Sequence, residues 1–398
     1  MLLGTGPDGP VRGRRVAITG LGAVTCCGVG VDALWEGLVN PVVSGERRVP
    51  DFDPSTWFGP KEVRRVDRFS QFAVASAEMA LSDAGNVGAD PDRAGVVFAT
   101  GVGGFHTLAE QVNVYEQRGA RRVSPFLVPM MMANAGAAHI SIRWGWRGPS
   151  ETVVTACAAG SHSIAAAARL VASGRCDVAL GGGSEASLHP VAIAAFANMT
   201  ALSTSGESRP FDVRRDGFVM AEGAAAVVLE DWERATRRGA HIYAELAGTA
   251  STADAYHITA PSPEGQGAIT CMEMAVEDAG IKPSDIRHIN AHGTSTPLND
   301  LAESLAVNKV FGTPGPPITS TKGVTGHGLA AAGAIETVAS ALTMKHGLIP
   351  PTAGHEQHDP QIHLDVVSGA PRKWEPGPII SNSFGFGGHN GCLVLLPA

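Results

Sequence analysis

Cys157 closes the run Thr152-Val153-Val154-Thr155-Ala156-Cys157 and is followed by Ala158-Ala159-Gly160-Ser161-His162-Ser163. The next stretch, Ile164-Ala165-Ala166-Ala167-Ala168-Arg169-Leu170-Val171, has the composition and length of a buried helix. A thiol where a β-branched strand gives way to a helix lies near the first-turn N–H groups and the positive end of the helix dipole. Those groups favour thiolate over thiol and supply donors to a developing oxyanion. Cys157 is therefore placed as a nucleophile, or it is a small core side chain, as free cysteines commonly are. Two histidines are candidate partners: His292 in Asn290-Ala291-His292-Gly293-Thr294-Ser295-Thr296-Pro297, and His327 in Ser320-Thr321-Lys322-Gly323-Val324-Thr325-Gly326-His327. Either one alone also reads as a hydrogen-bonded structural histidine.

An internal repeat gives a reason for these segments to meet. Glu78-Met79-Ala80-Leu81-Ser82-Asp83-Ala84-Gly85 recurs as Glu273-Met274-Ala275-Val276-Glu277-Asp278-Ala279-Gly280, each ending an amphipathic helix at glycine. A loop with proline and aspartate follows each copy, then a strand (Gly95 to Ala99; Ile286 to Asn290) ending in a Thr/Gly turn. The Cys157 turn has its own counterpart in Ile318 to His327 followed by Leu329-Ala330-Ala331-Ala332-Gly333-Ala334. A period near half the chain means two homologous halves rather than a solenoid. The expected division is residues 1–12 as a loose tail, 13–240 as the half with the nucleophile and 241–398 as the half with both histidines. If a pseudo-twofold axis relates them, Cys157, His292 and His327 converge.

The remaining elements read as helices over Val31 to Val39 and Phe69 to Ala84, with an irregular stretch up to Pro60. Gly20-Leu21-Gly22-Ala23 after the strand Arg15 to Gly20 resembles the start of a dinucleotide-binding turn. It lacks the third glycine and the downstream acid, so NAD binding is not supported.

Composition bounds the function. The 398 residues exceed what one small core organises. A net charge of −8 argues against a general nucleic-acid binder. The six cysteines show neither zinc-ligand nor disulfide-scaffold spacing, so no metal is expected and a reducing cytoplasm fits. Met1 to Pro10 has no signal-peptide core. The apolar segment Gly328 to Met344 carries Glu336 and reads as a buried helix, so no membrane anchor is expected.

Together with Asn382-Ser383-Phe384-Gly385-Phe386-Gly387-Gly388-His389-Asn390, the three stretches above closely resemble the elongating 3-oxoacyl-[acyl-carrier-protein] synthases of type II fatty acid and polyketide synthesis. The resemblance runs from about Arg15 to Leu396. It implies an α/β, thiolase-like fold with two duplicated halves in alternating α-β-α-β-α layers, assembled as a homodimer or as a heterodimer with a homologous chain-length-factor subunit. It also implies no cofactor of the enzyme's own, the substrates riding on the phosphopantetheine arm of acyl carrier protein.

Residue by residue, the resemblance makes Cys157 the acyl-accepting nucleophile and His292 and His327 the active-site histidines. Lys322 and Glu303 become the charged pair beside them, with Lys322 next to His327. Thr294 and Thr296 match pantetheine contacts. Phe386 contributes a backbone N–H to the oxyanion hole and gates the acyl pocket, to which Val102, Phe196 and Phe384 also belong. Lys61, Arg64, Arg65, Arg121 and Arg122 match a basic landing surface for the carrier. The implied reaction is decarboxylative: losing CO₂ from a malonyl thioester makes a carbanion without a strong base, and two neutral histidines supply donors to the enolate oxygen.

The chain departs from the family pattern at His389, where threonine is commoner, at Val102, often isoleucine, and at Thr200, a basic position in some relatives. A degradative thiolase would need a second reactive cysteine, and Cys392 in Asn390-Gly391-Cys392-Leu393-Val394 lacks that setting. Initiating synthases use Cys, His and Asn. The inactive chain-length subunits lack the nucleophile that Cys157 matches.

Overall fold

The structure, a computed structural model, describes residues 1–6, 9–42 and 47–398, with the backbone alone for residues 2–11. Positions 43–46 of the expected irregular stretch lie outside the described residues. The first half runs β1 (Leu2–Gly6), β2 (Gly9–Arg12), β3 (Val16–Thr25), β4 (Gly28–Val29), α1 (Val31–Val39), α2 (Arg68–Ala84), β5 (Ala94–Ala99) and α3 (Phe105–Arg118). It continues through α4 (Leu127–Met131), α5 (Ala135–Trp144), β6 (Ser150–Glu151), α6 (Ala159–Ala172), β7 (Val178–Glu185), α7 (Pro190–Asn198), β8 (Gly223–Asp231) and α8 (Trp232–Arg237). The second half runs β9 (Ala244–Ala253), α9 (Gln266–Ala279), β10 (His288–Asn290), α10 (Pro297–Phe311), β11 (Ile318–Thr319), α11 (Lys322–Thr325) and α12 (Ala332–His346). It ends with β12 (Leu348–Ile349), β13 (Arg372–Lys373), β14 (Ile379–Gly385) and β15 (His389–Leu396).

The duplication is explicit in the strand pairing. From β3 outward the order is β3-β8-β7-β5-β6, with the first two pairings antiparallel and the last two parallel. From β9 outward it is β9-β15-β14-β10-β11, with the same alternation of direction. The two sets meet where Ala17 and Ile18 of β3 pair with Glu245 and Ala244 of β9.

The repeated octapeptides occupy equivalent places. Asp83 on α2 accepts from the Leu21 N–H at 2.9 Å, and Asp278 on α9 accepts from the Thr249 N–H at 2.7 Å. A Cβ at Gly20 would sit 2.1 Å from the Ala80 carbonyl, and one at Gly248 would sit 2.2 Å from that of Ala275. Glycine lets each outer helix lie directly on its strand. Gly20-Leu21-Gly22 is thus the middle of a buried strand packed on a helix and not a phosphate-binding turn.

The layers follow from which faces are apolar. α6 and α12 lie between the two sets of strands, in a core with Val97, Ala179, Val227 and Leu229 on one side and Leu246, Ile379, Leu393 and Leu395 on the other. α2 and α5 cover the outer face of the first set against Val96, Phe98, Val178 and Val228. α9 and α10 cover the second against Ile289, Ile380, Cys392 and Val394. This is the thiolase-like α-β-α-β-α arrangement that the resemblance implied. α12 is buried along Ala332 to Met344, as its composition required, and no helix among the described residues is long and apolar enough to cross a membrane.

The chain's beginning differs from the expected loose tail. β1 and β2 pair as an antiparallel hairpin, the Met1 side chain is buried in the central core, and the Met1 carbonyl accepts from the Gly13 N–H at 3.1 Å. The backbone pairing satisfies groups that a free tail would leave to water. The strand before Cys157 is also shorter than its β-branched run suggests: pairing with β5 ends at Glu151, and residues 152–155 leave the sheet to reach the centre.

Candidate active site

Cys157 sits in a 3-10 turn, Ala156–Ala158, immediately before α6. The turn is entered through Ala156 at φ 49°, a left-handed conformation that costs a non-glycine residue about 1–3 kcal/mol and is held by surrounding structure. Its counterpart before α12, Leu329–Ala331, is entered through Leu329 at φ 46°. The same elbow therefore occurs twice, with cysteine in one copy and Ala330 in the other.

The sequence-derived residues do converge. His327 Nε2 lies 3.0 Å from Cys157 Sγ. The His292 and His327 rings are 5.4 Å apart at 84°. All three line a cleft of about 540 Å³ together with Phe196, Thr294, Thr296, Phe384 and Phe386. Burial pushes the Cys157 thiol up to about 11, while hydrogen bonds from the backbone of Phe386 and of Cys157 itself and the Lys322 charge pull the other way. The resting thiol is neutral. The backbone N–H groups of Phe386 and Cys157 are directed toward the sulphur.

Both histidines are held neutral. Burial first, then the nearby Lys322 charge, lower each well below the ordinary imidazole range. Lys322 Nζ donates to the His292 carbonyl at 2.7 Å, lies 3.4 Å from His292 Nδ1, and pairs with Glu336 Oε1. An ammonium only donates, so Nδ1 of His292 is the acceptor and its proton resides on Nε2. His292 thus faces the cleft as an N–H donor. Lys322 directs its N–H groups to partners within the protein.

Two expectations about charge are corrected here. Lys322 bonds His292 and not His327, which it reaches only through its field. Its carboxylate partner is Glu336 on α12 and not Glu303. Glu303 on α10 instead accepts from the His292 N–H at 2.9 Å, the Gly293 N–H at 2.7 Å and Asn382 Nδ2 at 3.3 Å, which fixes the turn after β10. Burial pushes Glu303 and Glu336 each up to about 7. Glu336 had a visible signal: it is the one acid in a helix whose length from Ala332 to Met344 reads as buried, and so needs a buried cation. Phe218, whose ring packs edge-on to His327 at 5.2 Å, gave no signal in sequence.

The aromatic wall and the two threonines also assemble at the cleft. Thr294 and Thr296 share a hydrogen bond at 2.9 Å at one side of the cleft. Phe386 lies between β14 and β15, its ring 6.4 Å from that of Phe196, and Gly387 and Gly388 beyond it hold φ of 84° and 73°. Phe384 packs against His292 at 5.9 Å.

Val102 is the exception. It is 50% exposed and does not line the cleft of this chain. The turn after β5 gives its backbone N–H groups inward to the buried Glu185, including Gly101 at 2.8 Å, and this leaves the Val102 side chain outside. Lys61, Arg64 and Arg65 are exposed, as are Arg121 and Arg122. The guanidinium of Arg65 lies 4.4 Å over the Phe126 ring, which places the first group against the segment that follows the second.

Comparison with known proteins defines the class. The family described as "Beta-ketoacyl synthase, N-terminal domain" matches residues 43–235, and "Beta-ketoacyl synthase, C-terminal domain" matches residues 243–356. The chain belongs to the beta-ketoacyl synthase family. It is 42% identical to a 3-oxoacyl-[acyl-carrier-protein] synthase 2 from Synechocystis sp., over 96% of this chain and 98% of that one. Among solved structures it resembles the ishigamide ketosynthase/chain length factor, with a TM-score of 0.91 at 33% identity, covering 97% of this chain and 100% of the other. It also resembles a structure of a type II PKS acyl-carrier protein in complex with its ketosynthase bound to the hexaketide, with a TM-score of 0.89 at 33% identity and the same coverage.

Proposed function

We propose that this acyltransferase condenses an acyl group held on Cys157 with a malonyl group on acyl carrier protein, releasing CO₂ and leaving 3-oxoacyl-carrier protein. The observation that carries the reading is the convergence of Cys157, His327 and an Nε2-protonated His292 on one cleft. Thioester exchange suits a soft sulphur nucleophile. His327 Nε2–H donates to the sulphur, and the thiol proton passes to the departing carrier thiol as the thioester exchanges. The thioester oxygen is received by the Cys157 and Phe386 N–H groups.

Once Cys157 is acylated, its sulphur has no proton and both imidazoles face the second substrate. Loss of CO₂ places charge on the malonyl thioester oxygen, where N–H donors of this kind contribute roughly 2.7–4 kcal/mol each. The carbanion attacks the acyl carbonyl, and Cys157 leaves as thiolate. Lys322 holds the His292 tautomer throughout.

Thr294 and Thr296 are proposed to bind the pantetheine arm, and Lys61, Arg64, Arg65, Arg121 and Arg122 to receive the acidic carrier. We further assign a dimer, with a second copy or a homologous subunit, supported by the exposed apolar side chains Leu108, Val112, Tyr115 and Val128 on α3 and α4. Six free cysteines support a reducing, cytoplasmic setting. Incubating the purified protein with acyl carrier proteins bearing chains of different length plus malonyl carrier protein, with products read by mass, should yield 3-oxoacyl carriers two carbons longer than the acyl donor. Absence of such products with every donor would remove the assignment.

A further inference from the structure

Four of the six cysteines are buried, and Cys26 and Cys27 alone are half-buried. These two form the tip of the β3–β4 hairpin, between the paired residues Thr25 and Gly28. Cys26 Sγ lies 3.6 Å from the Val324 carbonyl and 3.7 Å from that of Thr325, so its S–H is held against α11, the helix that begins with Lys322. The Thr25 hydroxyl oxygen accepts from the Cys27 N–H at 3.2 Å. The charge of Arg47 acts on both sulphurs.

The pair divides its protons unequally. Cys27 is lowered to about 7, chiefly by the neighbouring Cys26 side chain, while Cys26 is raised. The reacting form of a thiol is the thiolate, and Cys157, buried and raised, has less of it at rest. We propose that Cys26 and Cys27 form a modification site at which hydrogen peroxide oxidises Cys27 and Cys26 resolves the product to a vicinal disulfide.

In the first step the Cys27 sulphur attacks a peroxide oxygen. An S–O bond forms, the O–O bond breaks, and with one proton taken up a water leaves and a sulfenic acid remains. Cys26 then attacks that sulphur: the S–S bond forms, the S–O bond breaks, and the hydroxyl leaves as water with the Cys26 proton. The dithiol has lost two electrons and the peroxide has been reduced to water. Adjacent Cα atoms on a trans peptide are about 3.8 Å apart, below the usual span of a disulfide. The product is therefore strained and easily reduced, which makes the modification reversible.

The test treats the intact protein with limiting hydrogen peroxide, blocks remaining thiols and maps the peptides by mass. The Cys26–Cys27 peptide should lose the mass of two hydrogen atoms before any other cysteine reacts, and dithiothreitol should restore it. Cys26→Ser should stop at a sulfenic acid on Cys27 that dimedone traps, and Cys27→Ser should leave the segment unoxidised. Oxidation at Cys157 or Cys176 first in the unsubstituted protein would overturn the proposal whatever the variants do. So would a Cys27→Ser segment oxidised as fast as the parent's.

Discussion

Glu336→Gln removes one charge from a pair whose two side chains are each 1% exposed. Glutamine keeps the shape and still offers an oxygen to Lys322, but the ammonium is left in the interior without a counter-charge. Breaking a buried pair from one side costs about 3–5 kcal/mol, most of it the desolvated charge left behind. The ammonium is no longer anchored on that side and can leave His292 Nδ1, so the Nε2–H tautomer is then no longer imposed. Urea denaturation followed by tryptophan fluorescence should therefore show a loss of about 3–5 kcal/mol. Release of labelled CO₂ from malonyl carrier protein should fall in the same variant, with acylation of Cys157 kept.

The double variant Lys322→Met, Glu336→Leu removes both charges, and pairs replaced in this way are commonly no less stable than the original. It should recover most of the stability and none of the CO₂ release. A Glu336→Gln protein that loses less than about 1 kcal/mol, in the range of exposed pairs, and still decarboxylates at the parent rate would refute the assigned role of the pair. A double variant no more stable than either single one would do the same.

Three further outcomes follow from the same geometry. His288 is buried with both ring nitrogens lacking a hydrogen-bond partner among the described residues, and burial pushes it down to about 3 from 6.5. The unfolded chain takes up a proton below pH 6.5 that the folded chain refuses, so His288 lowers stability as pH falls from 6.5 toward 3, by about 2 kcal/mol at pH 5; His288→Leu should flatten that part of the profile, and a slope equal to the parent's would contradict it. Charge reversal at Arg64 and Arg65 should raise KM for carrier-bound substrates and leave small thioester mimics nearly unchanged, since rim charges act mainly on association; equal losses with both would mean a structural cluster. Phe386→Ala should slow acylation of Cys157 by long chains more than by acetyl, and a uniform effect would indicate that only the backbone N–H of this residue matters.

What the sequence made legible was what local pattern and repetition encode. The octapeptide repeat, with Asp83 and Asp278 bonding equivalent strands, carried the twofold organisation, and that organisation explains why Cys157 and His327, 170 residues apart, touch. Lys322 finds its partner 14 residues away on α12, a pairing fixed by how α11 packs on the central layer and not by any spacing along one helix. Composition could point to Glu336 as a buried acid, but its cation became visible only in three dimensions. Val102 points away from this chain's cleft for a related reason. Its chain position beside β5 is right, but the demand of the buried Glu185 for backbone donors decides which way the turn faces. The hairpin before Gly13 was hidden because glycine and proline signal a turn and a loose tail equally well.

The most direct test of the account follows one isotopically labelled acyl group. The protein is first loaded from labelled acyl carrier protein and its peptides are mapped, and malonyl carrier protein is then added while CO₂ and the label are tracked. The account predicts label on Cys157 alone, then its transfer to 3-oxoacyl-carrier protein with one CO₂ released per acyl group moved. Label on Cys271 or Cys392, or CO₂ release that leaves the acyl group on Cys157, would contradict it.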